Sequence, residues 1–253
     1  MHSPSGSAAL HNKYDENLVD RFDAYFELVS ANTRELIDTA FALRYQVYCL
    51  ERQFEDPAQQ RDGLESDQYD SHAVHCLLLH RPQAAAIGTA RLILPQARPN
   101  SLPIQQLLKK NGLNSREHFS SETVAEISRF AISKEFRRRV DSLSGADTRR
   151  DRLGNLPFLG LLQILLRQSV ELGVDYWAAV MEPTLLRMLA AMGVRFHAIG
   201  PLVSYHGLRQ PSYCYLPQML RNLALTRPEC WAVVTNNGEL MCEPAAGDLR
   251  RVA

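Results

Sequence analysis

Charged residues lie inside two segments of this chain that otherwise have the composition of buried strands. The segment "AAIGTARLILP" contains Arg91, and the segment "ETVAEISRFAIS" contains Glu126 and Arg129. Charged side chains rarely occupy such positions unless they pair with an opposite charge or line a cleft. The fold must therefore bring other charged groups to these strands. The residues alone leave open whether the result is a structural ion-pair network or a functional site.

Three further carboxylates are concentrated just before another apolar segment. Glu65, Asp67 and Asp70 fall within "LESDQYDSHAVHCLLLH", and Arg44 lies upstream of them on a predicted helix. One interpretation is that these acids are neutralised by the strand arginines in a structural network. The other is that the charges converge on a binding pocket.

The hydrophobic periodicity predicts strands interleaved with single helices. The first strand is expected at 24–31, followed by a helix that begins at Asn32 or Thr33 and carries Arg44 and Tyr48. The later predicted elements are a hairpin at 72–81 and 85–95, a strand at 122–133, a long loop at 134–155, a helix at 156–173, a strand at 174–180, a helix at 182–193, and short strands that include "CWAVVT". In the strand at 122–133, Glu126, Ser128 and Phe130 should share one face and Arg129 should point to the other.

This order of elements predicts an α/β (α+β) sandwich with a mostly antiparallel central sheet. Residues 1–15 are expected to be a flexible tail, and residues 16–253 a single domain. The chain is 45% hydrophobic and 22% charged with a formal net charge of zero, which argues against a wholly disordered chain. Neutrality, together with arginines that have no interleaved aromatic residues, argues against nucleic-acid binding.

Composition also constrains the compartment and the cofactors. The five cysteines are scattered without a C-x-x-C pair, so a disulfide framework or zinc site is not indicated. His72 and His75 raise the question of a metal, but no ligand set at the right spacing accompanies them, and no metal is predicted. No segment is long and apolar enough for stable membrane insertion, and a cytoplasmic location is expected.

The charged motifs, taken in order, resemble a known signature. Arg44-x-x-Val47-Tyr48, Glu65-x-Asp67-x-Tyr69-Asp70, Gly88-Thr89-Ala90-Arg91-Leu92 and Glu126-x-Ser128-Arg129-Phe130 are similar to the LuxI-type acyl-homoserine-lactone synthases over about residues 41–132. The stretch "LRYQVYCLERQFE" and the C-terminal half resemble the N-acyl amino acid synthase-like acyltransferases of the PEP-CTERM/exosortase system. The resemblance implies a GNAT-like αβα sandwich whose splayed sheet admits a pantetheine arm.

The same resemblance implies a reaction and its partners. A long-chain acyl group would pass from acyl carrier protein to the amino group of an amino acid or related amine. No cofactor would be bound permanently, because the 4'-phosphopantetheine arrives with the donor. Phe54 stands where the homoserine-lactone synthases have tryptophan, which disfavours a homoserine-lactone product. The stretch 133–155 lacks the glycine-rich pattern that cradles a CoA pyrophosphate, which favours a carrier-protein donor.

The predicted loop at 134–155 is rich in arginine. A mobile basic patch there would attract an acidic carrier protein, although a solvated loop explains the composition equally well. The patch consists of Arg137, Arg138, Arg139, Arg149, Arg150 and Arg152.

Amide formation from a thioester needs a neutral nitrogen, a route for its proton and stabilisation of an oxyanion. Glu126 is the predicted base, and Arg129 and Arg91 are predicted to hold it or its neighbours. Ser128 is a possible hydrogen-bond donor. The cysteines lack a histidine in any recognisable pattern, so a covalent acyl-enzyme is less attractive than direct attack by the amine.

The acceptor pocket is predicted from the acids and Arg44. Arg44 is expected to bind a carboxylate while the acids take the ammonium group, and the family signature adds Tyr48 and Phe54 to the substrate-binding set. The helix at 156–172 with Trp177, Met181, Leu185 and Met188 would line an acyl tunnel. The alternatives are an autoinducer synthase, an acyl-CoA N-acyltransferase, and a non-catalytic module that senses acyl carrier protein or acyl amino acids.

Overall fold

The computed structural model describes residues 17–114, 117–118, 123–136, 154–205 and 207–241. Its centre is an open eight-stranded sheet with the strand order β1-β2-β3-β4-β5-β8-β6, in which β7 pairs with β8. The strands are β1 (Phe26–Ser30), β2 (Ala73–His80), β3 (Ala85–Ile93), β4 (Val124–Ile132), β5 (Tyr176–Met181), β6 (His197–Ala198), β7 (Val203–Ser204) and β8 (Leu208–Tyr215). Only the β4–β5 pair is parallel among these described strands. The predicted α/β sandwich with a mostly antiparallel sheet is confirmed.

The α-helices of the described residues include the predicted ones, which begin close to their sequence signals. They are α1 (Leu18–Tyr25), α2 (Arg34–Arg44), α3 (Pro103–Lys110), α4 (Leu156–Glu171), α5 (Pro183–Ala191), α6 (Leu216–Thr226) and α7 (Pro228–Thr235). The side chain of Thr33 accepts the N–H of Leu36 and caps α2. Pro183 opens α5, and Gly173 follows α4 with a φ of +66°, a conformation that favours glycine.

The strands separate two apolar layers because their side chains alternate between faces. Leu78 belongs to the core that contains side chains of α1, α4, α6 and α7, whereas its neighbour Leu77 packs in the cluster beneath α2. Both leucines are fully buried, which stabilises the fold by ~1.5–3 kcal/mol each. A third cluster lies beneath α3. The polar site described below lies on the α2 and α3 face of the sheet.

A bulge in β4 changes the direction of one predicted site residue. Arg91 pairs with Ser128 and Thr89 pairs with Ala131, so two residues of β4 lie opposite one residue of β3. Arg129 lies in this bulge with a φ of 51°. The Arg129 side chain consequently reaches two carboxylates, one of which also pairs with Arg44 and the other with Arg91. The prediction that Arg129 points away from the face of Ser128 is therefore wrong, because strict alternation does not hold across a bulge.

The sheet opens between its two central strands. The parallel pairing of β4 with β5 runs from Val124 to Ile127 and ends where Ile127 pairs with Ala179. Beyond this point β4 continues to Ile132 and β5 to Met181 without pairing to each other. The two strands diverge there and leave a wedge-shaped opening, as the resemblance implied.

Helix α2 does not end as a regular helix. It continues as a π-helical segment, Tyr45–Glu51, which carries Tyr48. A π-helical turn inserts an extra residue per turn and rotates the side chains that follow it; such turns are frequent at functional sites. The predicted helix is thus present, but its last turns have a different geometry.

Two regions differ from the predictions. The segment "CWAVVT" is helical in α7 rather than extended, since Pro228 occupies the first turn and Asn236 ends the helix in a left-handed conformation. Helices α1 and α6 were not predicted. The proposed tail at 1–15 and most of the arginine-rich loop, including all six arginines of its basic patch, lie outside the described residues. No helix in the described ranges is long and apolar enough to cross a membrane.

Candidate active site

A cavity of about 470 Å³ lies where β4 and β5 separate. Its wall combines residues of the π-helical segment, the loop before β2, the strands β3 to β5, helices α3 to α5, and the β7–β8 hairpin. Seven of the predicted site residues line it: Tyr48, Phe54, Asp67, Arg91, Glu126, Ser128 and Arg129. The other three, Arg44, Glu65 and Asp70, are not among the lining residues.

Glu126 is a buried carboxyl group on the cavity wall. It lies on β4 one residue before the last β4–β5 pair, and its Oε2 accepts the backbone N–H of Ile104 at 2.7 Å. This N–H belongs to the first turn of α3, where helix N–H groups are unpaired and the helix dipole favours negative charge. Burial nevertheless dominates and raises the pKa of Glu126 to about 8.

Arg91 fixes two other parts of the wall. Its Nη1 and Nη2 donate to the two carboxylate oxygens of Asp67 at 2.7 and 2.9 Å, and its Nε donates to Ser128 Oγ at 2.9 Å. Nη1 also donates to Asp70 Oδ1 at 2.6 Å. The arginine therefore joins β3, β4 and the acidic loop. Among these contacts Ser128 is an acceptor for Arg91, whereas it was predicted as a possible donor.

Arg129 forms a second bidentate ion pair. Its Nε and Nη2 donate to the oxygens of Glu65 at 3.0 and 2.7 Å, and Nη2 also lies 3.1 Å from Glu55. The guanidinium stacks over the ring of Tyr48 at 5.1 Å. Neither Arg91 nor Arg129 forms a hydrogen bond to Glu126 in the described contacts; they hold its neighbours instead.

Arg44 is fully enclosed behind the cavity wall. Its Nε donates to Glu65 and its two terminal nitrogens donate to Asp70 at 2.7 and 3.2 Å. All its nitrogens therefore face carboxylates of the chain, and the structure differs from the prediction that Arg44 receives a substrate carboxylate. Glu65 and Asp70 are likewise occupied by arginines, which leaves Asp67 as the member of the acidic trio that reaches the cavity.

The ion pairs fix the ionisation of these acids. Burial by itself raises the pKa of Glu65, but hydrogen bonds from Arg129 and Arg44 outweigh it and lower the pKa to about 2. Burial also raises the pKa of Asp70, but the hydrogen bond and the charge of Arg44 outweigh this effect and lower the pKa. Both groups remain charged at neutral pH, in contrast with Glu126.

The opposite end of the cavity is apolar. Met181, Leu185 and Met188 line it as predicted, but Trp177 does not. Trp177 is fully buried in the core, where its indole N–H donates to Ser169 Oγ at 2.8 Å. Helix α4 was predicted to line a tunnel along its length, yet it contributes only Phe158 to the lining because its other apolar side chains fill the core.

Several charged lining residues were not predicted as site residues, and we consider Arg52, Glu55, Glu182 and Arg209. They come from the loop after the π-helical segment, the N-cap position of α5 and strand β8. Arg209 lies in a short segment whose sequence shows no unusual pattern. Strand β8 pairs with β5, and the pairing of Gln210 with Met181 places the neighbouring Arg209 beside the end of β5. This strand pairing alone brings Arg209 to the cavity.

The described side chains make metal or thiol chemistry a poor fit. No group of histidine, cysteine and carboxylate residues within the described ranges has the arrangement of a metal site. Cys76 and Cys214 are buried, which raises the pKa of each thiol to about 12 and makes them weak nucleophiles. The arrangement does provide a protein carboxyl group able to exchange a proton near neutral pH, beside a cavity with one polar and one apolar end.

Comparisons with known proteins agree with this geometry. Residues 43–143 match the acetyltransferase (GNAT) domain family, a range that includes every predicted site residue from Arg44 to Arg129. A search of curated proteins finds no match. The matched domain accounts for β2 to β4 and the polar wall of the cavity.

Solved structures share the fold. The acyl-homoserine-lactone synthase LasI superposes with a TM-score of 0.54 at 21% identity, over 75% of this chain and 88% of LasI. FeeM, an N-acyl amino acid synthase from uncultured soil microbes, gives 0.55 at 17% identity, over 80% of this chain and 97% of FeeM. BjaI, described as a CoA-dependent acyl-homoserine-lactone synthase, gives 0.56 at 18% identity, over 87% and 94% of the two chains. The fold is GNAT-like, and the match of residues 43–143 to the GNAT family supports an acyltransferase.

Proposed function

We propose that this GNAT-type acyltransferase transfers a long-chain acyl group from the phosphopantetheine thioester of acyl carrier protein to the amino group of an amino acid or related amine. The observation that carries the proposal is the opening between β4 and β5, which has Glu126 at the end where their pairing stops. An extended thioester arm entering this opening presents its carbonyl group beside the polar wall. The apolar residues then accept the acyl chain.

The reaction forms one C–N bond and breaks one C–S bond. An acceptor ammonium first gives a proton to the Glu126 carboxylate, directly or through one water, and the neutral nitrogen attacks the thioester carbon. The nitrogen then loses a second proton as the tetrahedral intermediate collapses. The pantetheine sulfur leaves and takes up one proton to become a thiol. Starting from the ammonium form, the products are an amide, a thiol and one proton released to solvent.

Glu126 suits the role of base because of its surroundings. Its pKa of about 8 leaves a usable fraction of carboxylate at neutral pH and makes that carboxylate basic enough to accept a proton. An ordinary exposed glutamate, with a pKa near 4.3, would be a much weaker base. The N–H of Ile104 fixes the carboxylate without neutralising it.

The oxyanion requires hydrogen-bond donors at the opening. The end of the β4–β5 pairing leaves the edge of β4 after Ile127 without ladder bonds to β5 among the described residues. The bulge at Arg129 also re-aims this part of the backbone. Main-chain N–H groups of this stretch are therefore our candidates for contacting the thioester oxygen.

Arg91 and Arg129 act as positioning residues in this scheme. Each is held by carboxylates in bidentate fashion, so neither side chain is free to move with a substrate. Their role is to keep Asp67, Ser128 and Tyr48 in place around the acceptor. Both arginines were predicted to hold Glu126 or its neighbours, and the proposal keeps the second of these two roles.

The choice of a carrier-protein donor is supported by sequence. The stretch 133–155 has no glycine-rich pyrophosphate pattern and contains six arginines suited to an acidic partner. BjaI has the same fold and is described as CoA-dependent, so a CoA thioester is the alternative to test. The predicted association with an exosortase system remains a prediction.

The test uses the purified full chain with matched acyl donors. A C12 or C16 acyl group is offered on acyl carrier protein and on CoA, each with a pool of amino acids and simple amines, and products are identified by mass spectrometry. Faster formation of N-acyl amino acids from the acyl carrier protein supports the proposal. Faster transfer from acyl-CoA would mean that the donor is acyl-CoA. Binding of the acylated carrier without product from either donor would indicate a sensing module and overturn the proposal.

A further inference from the structure

Two arginines on the rim of the cavity lie close to one aromatic ring. The guanidinium carbon of Arg209 is 5.3 Å from the centre of the Phe54 ring, and that of Arg52 is 5.9 Å from it. Both arginines also approach the same carboxylate, because Glu182 Oε1 lies 3.2 Å from Arg209 Nη2 and 3.6 Å from Arg52 Nη1. All four residues line the cavity.

The charges of this rim do not cancel. Two guanidinium groups share one carboxylate, whereas Arg91 and Arg129 are matched by several acids, with bidentate pairs to Asp67 and Glu65. Arg209 is largely buried and one of its terminal nitrogens donates to the carbonyl of Leu208 at 3.1 Å. A partly desolvated cation in a cavity attracts an anionic ligand more strongly than an exposed one does.

The hairpin that carries Arg209 extends over the polar end of the cavity. Tyr205, in the same hairpin, also lines it, and the charges of Arg129, Glu126 and Glu55 act on its phenol, whose pKa burial raises. The hairpin that carries Arg209 therefore borders the part of the cavity that contains Glu126, where the amine is to be deprotonated. An α-amino acid carries its carboxylate next to its amine, which allows one molecule to reach both groups.

We propose that Arg209 and Arg52 bind the α-carboxylate of the acceptor and so restrict the enzyme to amino acids and similar anionic amines. This inference rests on the proposed function and deepens it. Phe54 packs against both guanidinium groups, and Glu182 orients them while leaving donors for the substrate. The rim takes over the carboxylate-binding role that the sequence assigned to the enclosed Arg44.

The first experiment compares an amino acid with its carboxamide, which keeps the amine and removes the charge. We expect the natural enzyme to favour the acid by about 10- to 100-fold in kcat/KM, the range of one charge-assisted contact. Arg209→Gln should reduce this ratio to near one, mainly through the KM of the acid. Arg209→Lys, which keeps the charge, should restore part of the preference.

Two control variants separate a specific site from general electrostatics. Lys110→Gln removes a positive charge from another part of the same cavity, and Arg187→Gln removes one from the exposed side of α5. Both should keep the preference for the acid. An equal preference for acid and carboxamide in the natural enzyme, or an unchanged ratio in Arg209→Gln, would overturn the inference while leaving acyl transfer intact.

The phosphate of the donor is the other possible anion. Acyl-pantetheine, which lacks it, is therefore compared with the acylated carrier protein in the natural and Arg209→Gln enzymes. If Arg209→Gln raises only the KM of phosphate-bearing donors and the acid-to-amide ratio persists, the rim binds the donor and the inference is wrong. If the ratio falls equally with both donors, the carboxylate assignment is supported.

A binding measurement separates this inference from the proposed reaction. Calorimetry with an N-dodecanoyl amino acid and its carboxamide should show about 10-fold or greater preference for the acid, lost in Arg209→Gln. If no amine is acylated but this preference is present, the transferase proposal fails and the carboxylate site stands. If turnover occurs and neither assay shows a preference for the acid, the transferase proposal stands and the carboxylate site is wrong.

Discussion

At the residue scale, the two kinds of acid in this site have opposite ionisation behaviour. Glu65 has two arginines as hydrogen-bond partners and a pKa lowered to about 2, whereas Glu126 is buried with a single backbone N–H and a pKa raised to about 8. The first is a permanent charge that holds structure. The second can take up and release a proton in the physiological range, which is what a base requires.

Glu126→Gln tests the base directly. The amide keeps the size and can still accept the N–H of Ile104, but it cannot take a proton. We expect kcat/KM to fall by about 10²- to 10⁴-fold, with donor binding retained. In the natural enzyme kcat/KM should rise with pH up to about 8 and then level off, since the carboxylate form is the active one. The variant should lose this rise.

The measurement is a pH–rate profile of both proteins with the same amino acid acceptor, so that the titration of the acceptor ammonium is common to the two profiles and cancels in their ratio. Asp23→Asn, an exposed position on α1, is the matched control and should keep the natural profile. A Glu126→Gln enzyme with the same pH-dependent limb as the natural one would exclude Glu126 as the titrating base.

The same group should make stability depend on pH. Its folded pKa of about 8 exceeds the unfolded value of 4.5, so the folded state binds more protons between these two values. The contribution to the free energy of unfolding is complete below pH 4.5 and is lost as pH rises through 8. We expect Glu126→Gln to remove this loss, so that the variant becomes more stable relative to the natural chain as pH increases.

Urea unfolding at pH 5.5 and 8.5 measures this effect as a difference between the two proteins. The comparison with the variant is necessary because His75 has the opposite sign: burial lowers its pKa, so its contribution increases with pH. That contribution is common to both proteins and cancels. A constant difference in stability at the two pH values would contradict the raised pKa of Glu126.

Sequence reasoning identified which charges matter but not which partner each one takes. The positions of Arg91, Glu126 and Arg129 in apolar segments were sufficient to predict a charged cluster. The pairing of Arg44 with Glu65 and Asp70 depends on distances between the helix and the loop, and these are set by packing. The predicted cluster therefore contained both the residues at the surface of the cavity and those that support them.

At the element scale, the ion pairs connect parts of the chain that are far apart in sequence. Arg44 on α2 holds the loop before β2, Arg91 on β3 holds the same loop, and Arg129 in the β4 bulge holds its first acid. The cavity wall depends on this fixed loop. The network therefore links folding stability to the geometry of the site.

Arg44→Met tests the structural role of the network. The arginine side chain is 0% exposed, and its loss leaves Glu65 and Asp70 buried with one cation fewer. Removing one partner from a buried ion pair costs about 3–5 kcal/mol, so the free energy of unfolding should fall by this amount. The measurement is urea denaturation at pH 7.

Arg81→Met is the matched control. Arg81 pairs with Glu27 at 3.0 Å, but the two side chains are 48% and 47% exposed. Exposed pairs contribute only about 0–1 kcal/mol. If Arg44→Met costs no more than Arg81→Met, the buried network does not stabilise the fold.

The elements themselves were largely predictable, and the exceptions have physical reasons. The hairpin of β2 and β3 and the helices with clear caps follow local periodicity. The π-helical segment and the β4 bulge each insert one residue into a regular pattern, and periodicity cannot locate such an insertion. Helix α7 was missed because its β-branched residues favour a strand locally, while Pro228 and packing against α4 favour the helix.

At the scale of the whole molecule, the cavity exists because antiparallel and parallel pairing meet in one sheet. Strands β1 to β4 form an antiparallel half, β5 and β8 form another, and only a short parallel ladder joins the halves. Sequence patterns specify the strands of each half. They do not specify where the ladder between the halves stops, so the opening could be expected only from the family resemblance.

This architecture gives the proposed acyl chain a defined boundary. Met188 lies on α5 at the apolar end of the cavity, one turn from Leu185, and the side chain of each is partly buried. Met188→Trp should fill the space available to the end of a long chain. We expect kcat/KM to fall at least 10-fold for C16 donors and to change little for C6 donors, since each methylene excluded from an apolar site costs about 0.8 kcal/mol.

The measurement is the rate of transfer from a series of acyl carrier proteins loaded with C6 to C16 chains. Leu225→Trp, at a position that is 83% exposed on α6, introduces the same side chain away from the cavity and should keep the natural length profile. A uniform loss over all lengths in Met188→Trp would mean that the tryptophan disturbs the fold or the thioester. An unchanged profile would place the acyl chain elsewhere, because a bulky side chain cannot share this part of the cavity with a C16 chain.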